Sequence, residues 1–417
     1  MIPFFIAAWY GIQAGTDAFF LSYAIILMLQ SLFAQALETV SVPVIRTQIA
    51  KNENLGLLIG RLLIFGSAII AALLLVLLML LEPLLPVITN FPPTTLRLLE
   101  KMLWEISPLV ILTFWSSILS GVLNAYKRFM LPALSPLIRA AVILLIAYFC
   151  RATFGIQSII IGYLLGEFCR LLILFLVCRR TTPFRLVFST RFNRQFLEFF
   201  IMAGYQMITV IARNINLAVD KMMAARLGEG RISLLHYADR LYMIPLTLFL
   251  SGMLMPILSH WSEEYERSKL DGLKRNLNRT LRGLASCTIG LTVLGILLRR
   301  PIVRLAYHHG QFPVADLQQI ELVFSCVLLG LTPGVLFALV TRALLILKKT
   351  NMLVLGALGT VILNIVFNLF LMKIWGIAGI ALSTSLTHIF YLLYLWNRFN
   401  KCCKDNVLSA GSMRRDL

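Results

Sequence analysis

The chain has 417 residues, 59% of them hydrophobic and 14% charged, with a mean hydropathy of +0.85 and a formal net charge of +19. Water cannot cover that much apolar surface, and ordinary soluble domains are about a quarter charged, so lipid is the solvent for most of the chain. The cations sit in short gaps between apolar runs, which argues against a nucleic-acid-binding face and fits the inward bias of basic residues in membrane proteins.

Residues 2–12 are apolar but too short to span, and read as the tail of an incomplete first helix. No basic segment precedes them, so no cleavable signal peptide is expected. Apolar runs of membrane length then predict helices over 18–45, 55–82, 96–123, 132–150 and 156–178, and over 196–219, 234–258, 281–298, 317–347, 353–373 and 376–398. The expected fold class is therefore all-α and polytopic, about twelve spans in two six-helix lobes. The lobes cover 1–178 and 196–398, with a basic linker at 179–195 and a tail at 399–417. The gap 260–283 reads as a further helix, with Leu270, Leu273, Leu277 and Leu281 on one face and Lys274, Arg275, Arg279 and Arg282 elsewhere. It either lies on an anionic leaflet or is a solvated connector.

Successive gaps alternate in charge. One set, from Arg46 through Lys127, Arg180 and Arg279 to Arg415, holds 23 basic residues. The other holds eight: Arg151, Lys221, Arg226, Arg231, Arg299, Arg300, Arg304 and Lys373. The bias puts the first set and both termini in the cytoplasm.

The halves echo each other at a nearly constant offset. Lys127-Arg128 and Lys348-Lys349, and likewise Phe154-Gly155-Ile156 and Trp375-Gly376-Ile377, lie 221 residues apart; Asp17 and Asp239 lie 222 apart. Val42-Pro43-Val44-Ile45 and Met255-Pro256-Ile257-Leu258 follow in the same order, a few residues out of step. Two like-oriented halves form a parallel repeat, an arrangement used by secondary transporters.

No phosphate-binding loop, HExxH, GxSxG or nucleotide-binding βαβ pattern occurs, the five histidines are scattered, and the seven cysteines form no CxxC pair. Neither cofactor nor metal is expected, and transport would draw on an ion gradient, the membrane potential or product consumption. Candidate site residues are ionisable or polar groups at membrane depth, each charge costing about 2.5–3.5 kcal/mol near a helix centre. Arg240, with Ser233 as helix cap, is the leading one. Arg213, flanked by Asn214 and Asn216, is the second, and two guanidiniums would suit a diphosphate. Internal pairing of these arginines with Asp239 or Asp220 is the structural alternative. Asp17 reads as a helix cap and Glu167–Arg170 as an i,i+3 pair, while Arg61 and Arg139 are expected to snorkel. Gln30, Gln35 and Glu38 line one helix and suit a hydrated cavity. Gly162 and Gly166 suit close helix packing.

Several segments resemble one known family. These are Ala14-Gly15-Thr16-Asp17-Ala18-Phe19-Phe20, Asn124-Ala125-Tyr126-Lys127-Arg128-Phe129, Gly228-Glu229-Gly230-Arg231-Ile232-Ser233 leading to Tyr237-Ala238-Asp239-Arg240-Leu241, and His309-Gly310-Gln311-Phe312. They resemble the MurJ (MviN) lipid II flippases of the multidrug/oligosaccharidyl-lipid/polysaccharide exporter superfamily. That resemblance implies two six-helix lobes around a cationic cavity for an undecaprenyl-diphosphate-linked saccharide, worked by alternating access in a bacterial inner membrane. It places the family's essential eighth-helix arginine on Arg240 and its second-helix aspartate on Asp17, while a second-helix arginine falls on Gln30. Membrane lipids are the other expected partners, nucleic acid is not one, and a monomer is expected. The same plan also suits O-antigen or exopolysaccharide flippases and cation-coupled multidrug exporters.

Overall fold

A computed structural model describes residues 2–50, 55–182, 187, 215–308, 313–347 and 349–413. Regular structure among them is α-helical throughout. The helices are α1 (Ile2–Tyr10), α2 (Ala14–Ala50), α3 (Leu55–Ile88), α4 (Pro93–Ile106), α5 (Pro108–Ala125), α6 (Met130–Phe154) and α7 (Gln157–Thr181). Then follow α8 (215–225), α9 (Arg231–Leu297), α10 (Arg299–Tyr307), α11 (Val314–Leu328), α12 (Leu331–Ile346) and α13 (Thr350–Met413). Eight helical segments among the described residues are long and apolar enough to cross a membrane. The chain is a polytopic all-α membrane protein.

Two expected spans are broken. The run at 96–123 divides into α4 and α5 at Ser107, because Pro108 has no N–H to continue the hydrogen-bond ladder. The run at 317–347 divides into α11 and α12 at Leu329–Gly330. Two other helices are longer than any bilayer needs. α9 has 67 residues, which would reach about 100 Å if straight. Yet the Tyr242 hydroxyl bonds the Gly330 carbonyl and the Thr292 hydroxyl bonds that of Leu328, each at 3.4 Å. A straight helix would hold residues 242 and 292 about 75 Å apart. The chain must therefore reverse between them, which gives two arms where spans 234–258 and 281–298 were expected. α13 reverses at Gly376, whose φ of 55° and ψ of −129° are non-helical, so that Tyr394 reaches the Met352 carbonyl at 3.3 Å. Its second arm continues to Met413 instead of stopping near 398, and Leu395, Phe399 and Cys402 carry its buried stripe past that point.

In the expected connector, Leu273 and Leu277 are fully buried and Lys274, Arg275, Arg279 and Arg282 are exposed. Its apolar face thus packs on protein rather than on a leaflet.

Backbone landmarks repeat at the offset read from the sequence. Pro92 opens α4 with φ −63° and ψ 157°, and Pro313, 221 residues on, opens α11 with φ −60° and ψ 148°. Gly155, between α6 and α7, has φ 54° and ψ −137°, nearly the geometry of Gly376. Both glycines occupy the left-handed region that side chains avoid, and each turns one helix back upon another.

By internal contacts the chain forms two compact units, Met1–Ile6 with Gln13–Ile232, and Ala7–Ile12 with Ser233–Leu417. In the first, α2 packs on α4 and α5, and α7 on α5 and α6; in the second, α13 packs on α11 and α12. Most of the linker 179–195 and of the expected span 196–219 lies outside the described residues.

Candidate substrate-binding site

The second unit resumes inside α9, at Ser233, and the loop before that helix holds Gly228 at φ 100° and Gly230 at φ 82°. These left-handed positions let the chain enter the helix directly at Arg231, two residues before the expected cap. Ser233 is instead fully buried inside the first turn. Arg240 follows nine residues into the helix, about 14 Å along its axis. It is half-buried, as is Asp239. Its Nε donates to His236 Nε2 at 3.3 Å, and no carboxylate described in this unit lies within ion-pairing distance. Asp239 is therefore not its salt-bridge partner, although the two are neighbours in sequence.

The turn carrying Asp239 and Arg240 is fixed from three directions. Tyr237, fully buried, donates to the Gly11 carbonyl at 2.9 Å. Tyr307 of α10 donates to the Tyr237 carbonyl at 2.8 Å, with the two rings 5.3 Å apart. Tyr242 reaches the α11–α12 corner at Gly330. Burial raises the pKa of the Tyr307 phenol; Arg240 pulls it back and Asp239 pushes it further. The phenol thus remains a hydrogen-bond donor, close enough to feel both charges.

The first unit holds the other described candidates. Asp17 is fully buried in the first turn of α2, where the helix dipole favours a negative charge. The cap bond is made by its neighbour: the Thr16 hydroxyl accepts from Gln13 N at 2.9 Å and donates to Gln13 O at 2.7 Å. Gln30 is buried, and its amide donates to the Thr113 hydroxyl at 3.0 Å, making it a tie between α2 and α5 rather than a group turned to a ligand. Asn216 is half-buried, and its Oδ1 accepts no hydrogen bond from the described residues. Arg213, Asn214, the side chains of Gln35 and Glu38, and His309-Gly310-Gln311-Phe312 lie outside the described residues.

Two expectations for cations are corrected in this unit. Lys221, assigned to an outer gap, lies within α8 at 3% exposure. Its Nζ donates to the Phe20 carbonyl at 3.3 Å and sits 5.8 Å from the Phe20 ring, one helical turn beyond Asp17. Its neighbour Asp220 is buried as well. The sequence signal for burial was small, a Lys-Asp pair flanked closely by Ala, Val and Met. Arg139 does not snorkel. It bonds Glu167 at 3.0 Å, Arg170 takes the other carboxylate oxygen at 3.0 Å, and Arg170 Nε bonds the Ser135 hydroxyl at 2.9 Å. Glu167 is fully buried, so the expected i,i+3 pair is one half of a bridge between α6 and α7. Gly162 and Gly166 admit the α6 backbone at Ile143 and Arg139, which is the close packing expected of them.

The family model described as lipid II flippase MurJ matches residues 6–412. The chain belongs to the MurJ lipid II flippase family. The probable lipid II flippase MurJ of Buchnera aphidicola subsp. Acyrthosiphon pisum is 25% identical over 396 residues, covering 92% of this chain and 76% of that protein. Its counterpart in Rickettsia prowazekii is 25% identical over 302 residues, covering 72% of this chain and 59% of that protein. A solved lipid II flippase MurJ in an inward closed conformation superposes with a TM-score of 0.83 at 25% identity, over 95% of this chain and 84% of that one. An inward-facing multidrug resistance transporter of the MATE family reaches a TM-score of 0.80 over 94% of this chain and 92% of that one, but at 12% identity, a likeness of fold alone. Membership in the MurJ family favours lipid II over the O-antigen, exopolysaccharide and multidrug cargoes kept open by the sequence, and makes the chain a multi-pass transporter of the inner membrane.

Proposed function

We propose that this chain carries lipid II, an undecaprenyl-diphosphate-linked saccharide, from the inner to the outer leaflet of a bacterial inner membrane by alternating access. The family match over residues 6–412 carries this reading. Both termini and the linker 179–195 face the cytoplasm, six-helix lobes at 1–178 and 196–398 do the moving, and the tail begins at 399. The protein works as a monomer.

Arg240 grips the diphosphate. Its half-buried guanidinium, with one neutral nitrogen as its described side-chain partner, keeps N–H groups for a bidentate bond to phosphate oxygens. Arg213 supplies a second cation. Asn216 and Asp239 are further contacts for the polar head group, and Asp17 and Gln30 order α2. The reading is tested by reconstituting the protein in liposomes with lipid II and following leaflet accessibility over time. Wild-type protein moves the lipid, and Arg240→Ala abolishes movement at unchanged protein recovery. Full transport by that variant removes the site assignment, and no transport by the wild type removes the function.

A further inference from the structure

Arginines crowd one short helix on the side where the charge count leaves cations scarce. α10 carries Arg299, Arg300 and Arg304, three of the eight basic residues in the sparse set. Its inner face is Val303 and Tyr307, both fully buried, and the Tyr307 bond to Tyr237 fixes how the helix is rolled. Arg300, Arg304 and His308 then recur every fourth residue along the flank beside that face, with Leu305 on the side opposite it, and all four are exposed. Leu297, Leu298 and Leu305 stand beside them at 73%, 44% and 78% exposure. Arg300 lies 3.6 Å from Glu321, whereas Arg304 has no carboxylate partner among the described residues. The helix sits in the chain between membrane-length segments Gly272–Leu297 and Val314–Ile346. Exposed leucines next to exposed arginines in that position have the build of an interfacial element.

The internal repeat shows that the fold does not need these charges. The offset that carries Pro313 onto Pro92 carries Arg299, Arg300 and Arg304 onto Leu78, Met79 and Pro83 of α3, where Glu82 is the one charged residue between 78 and 88. The equivalent place in the first half thus forms with no cation at all.

We propose that α10 binds the phosphate of an anionic phospholipid through Arg304 and Arg300, with the flanking leucines in the acyl region. Placing this lipid in the outer leaflet rests on the orientation proposed above; the binding does not. A guanidinium fork matches the two free oxygens of a phosphodiester. A lipid is the occupant, rather than a soluble anion, because the leucines beside the cations need an apolar partner.

The test uses the full chain, stripped of lipid in a neutral detergent and followed by native mass spectrometry. It is titrated with phosphatidylglycerol and, separately, with phosphatidylcholine of the same chain length. Phosphatidylglycerol is retained preferentially. Arg304→Gln weakens it about fivefold and Arg300→Gln with Arg304→Gln weakens it further, as expected for cations at a lipid surface. Arg304→Lys keeps most of the binding, and Leu305→Gln weakens it with charge unchanged. Equal retention by the double variant, equal binding of phosphatidylcholine, or displacement by inorganic phosphate alone overturns the proposal. Arg240→Ala binds phosphatidylglycerol normally, so failure here and failure of the transport reading are separate results.

Discussion

Arg240 holds its charge beside a histidine rather than a carboxylate, and that distinguishes it from the other described membrane-depth arginines of known partnership. Arg139 and Arg170 share Glu167, which is fully buried. Removing that carboxylate strands two cations, so Glu167→Ala should destabilise the protein by about 3–5 kcal/mol, read as a lowered unfolding temperature in detergent. Arg240→Ala should leave that temperature nearly unchanged while weakening head-group binding roughly 10- to 100-fold, the worth of a charged hydrogen-bond set. Gln30 marks the opposite case. Thr113 keeps its own bond to the Leu109 carbonyl at 2.8 Å when the amide is gone, so Gln30→Leu should cost within about 1 kcal/mol and leave transport intact. Loss of transport in that variant would return Gln30 to the binding site. The Arg170 pairing was legible in the sequence because its partner is three residues away on one helix. The partners of Arg139, Gln30 and Lys221 were not, since each depends on which helices lie side by side.

At the scale of elements, periodicity and hydropathy located the spans but not their interruptions. The break at Leu329–Gly330 had a signal in Gly330 and in Pro333, which has no N–H for the Leu329 carbonyl, but hydropathy alone reads through both; the reversal within α9 shows only in its contacts with 328–330. Gly155 and Gly376 were visible as a matched pair, and the backbone supplies the reason for them. Gly376→Ala and Gly155→Ala should each cost about 1–2 kcal/mol, because the left-handed conformation crowds a Cβ against the carbonyl. Gly379→Ala should cost more, since its Cβ would run into the Leu371 backbone, and thermal unfolding of the three variants should rank in that order.

For the molecule as a whole, the sequence carried the fold class, the duplication and the family, because all three rest on patterns spread over hundreds of residues. The orientation rests on a charge asymmetry of 23 against eight, and is testable directly. In intact cells His308→Cys should react with a membrane-impermeant maleimide, and a fluorescent protein fused after Leu417 should mature in the cytoplasm. Protection of residue 308 from the outside reagent, with the fusion dark, would invert the topology.

The three tyrosine hydroxyls around the Arg240 turn limit how the protein can operate. They clamp that turn to the 7–12 segment, to α10 and to the α11–α12 corner. A cation so braced cannot slide along a groove or swing out on a loose loop to follow its cargo. Any travel of its backbone beyond a side-chain rotation must take the three neighbouring pieces along, so this part of the second unit can shift only as a block.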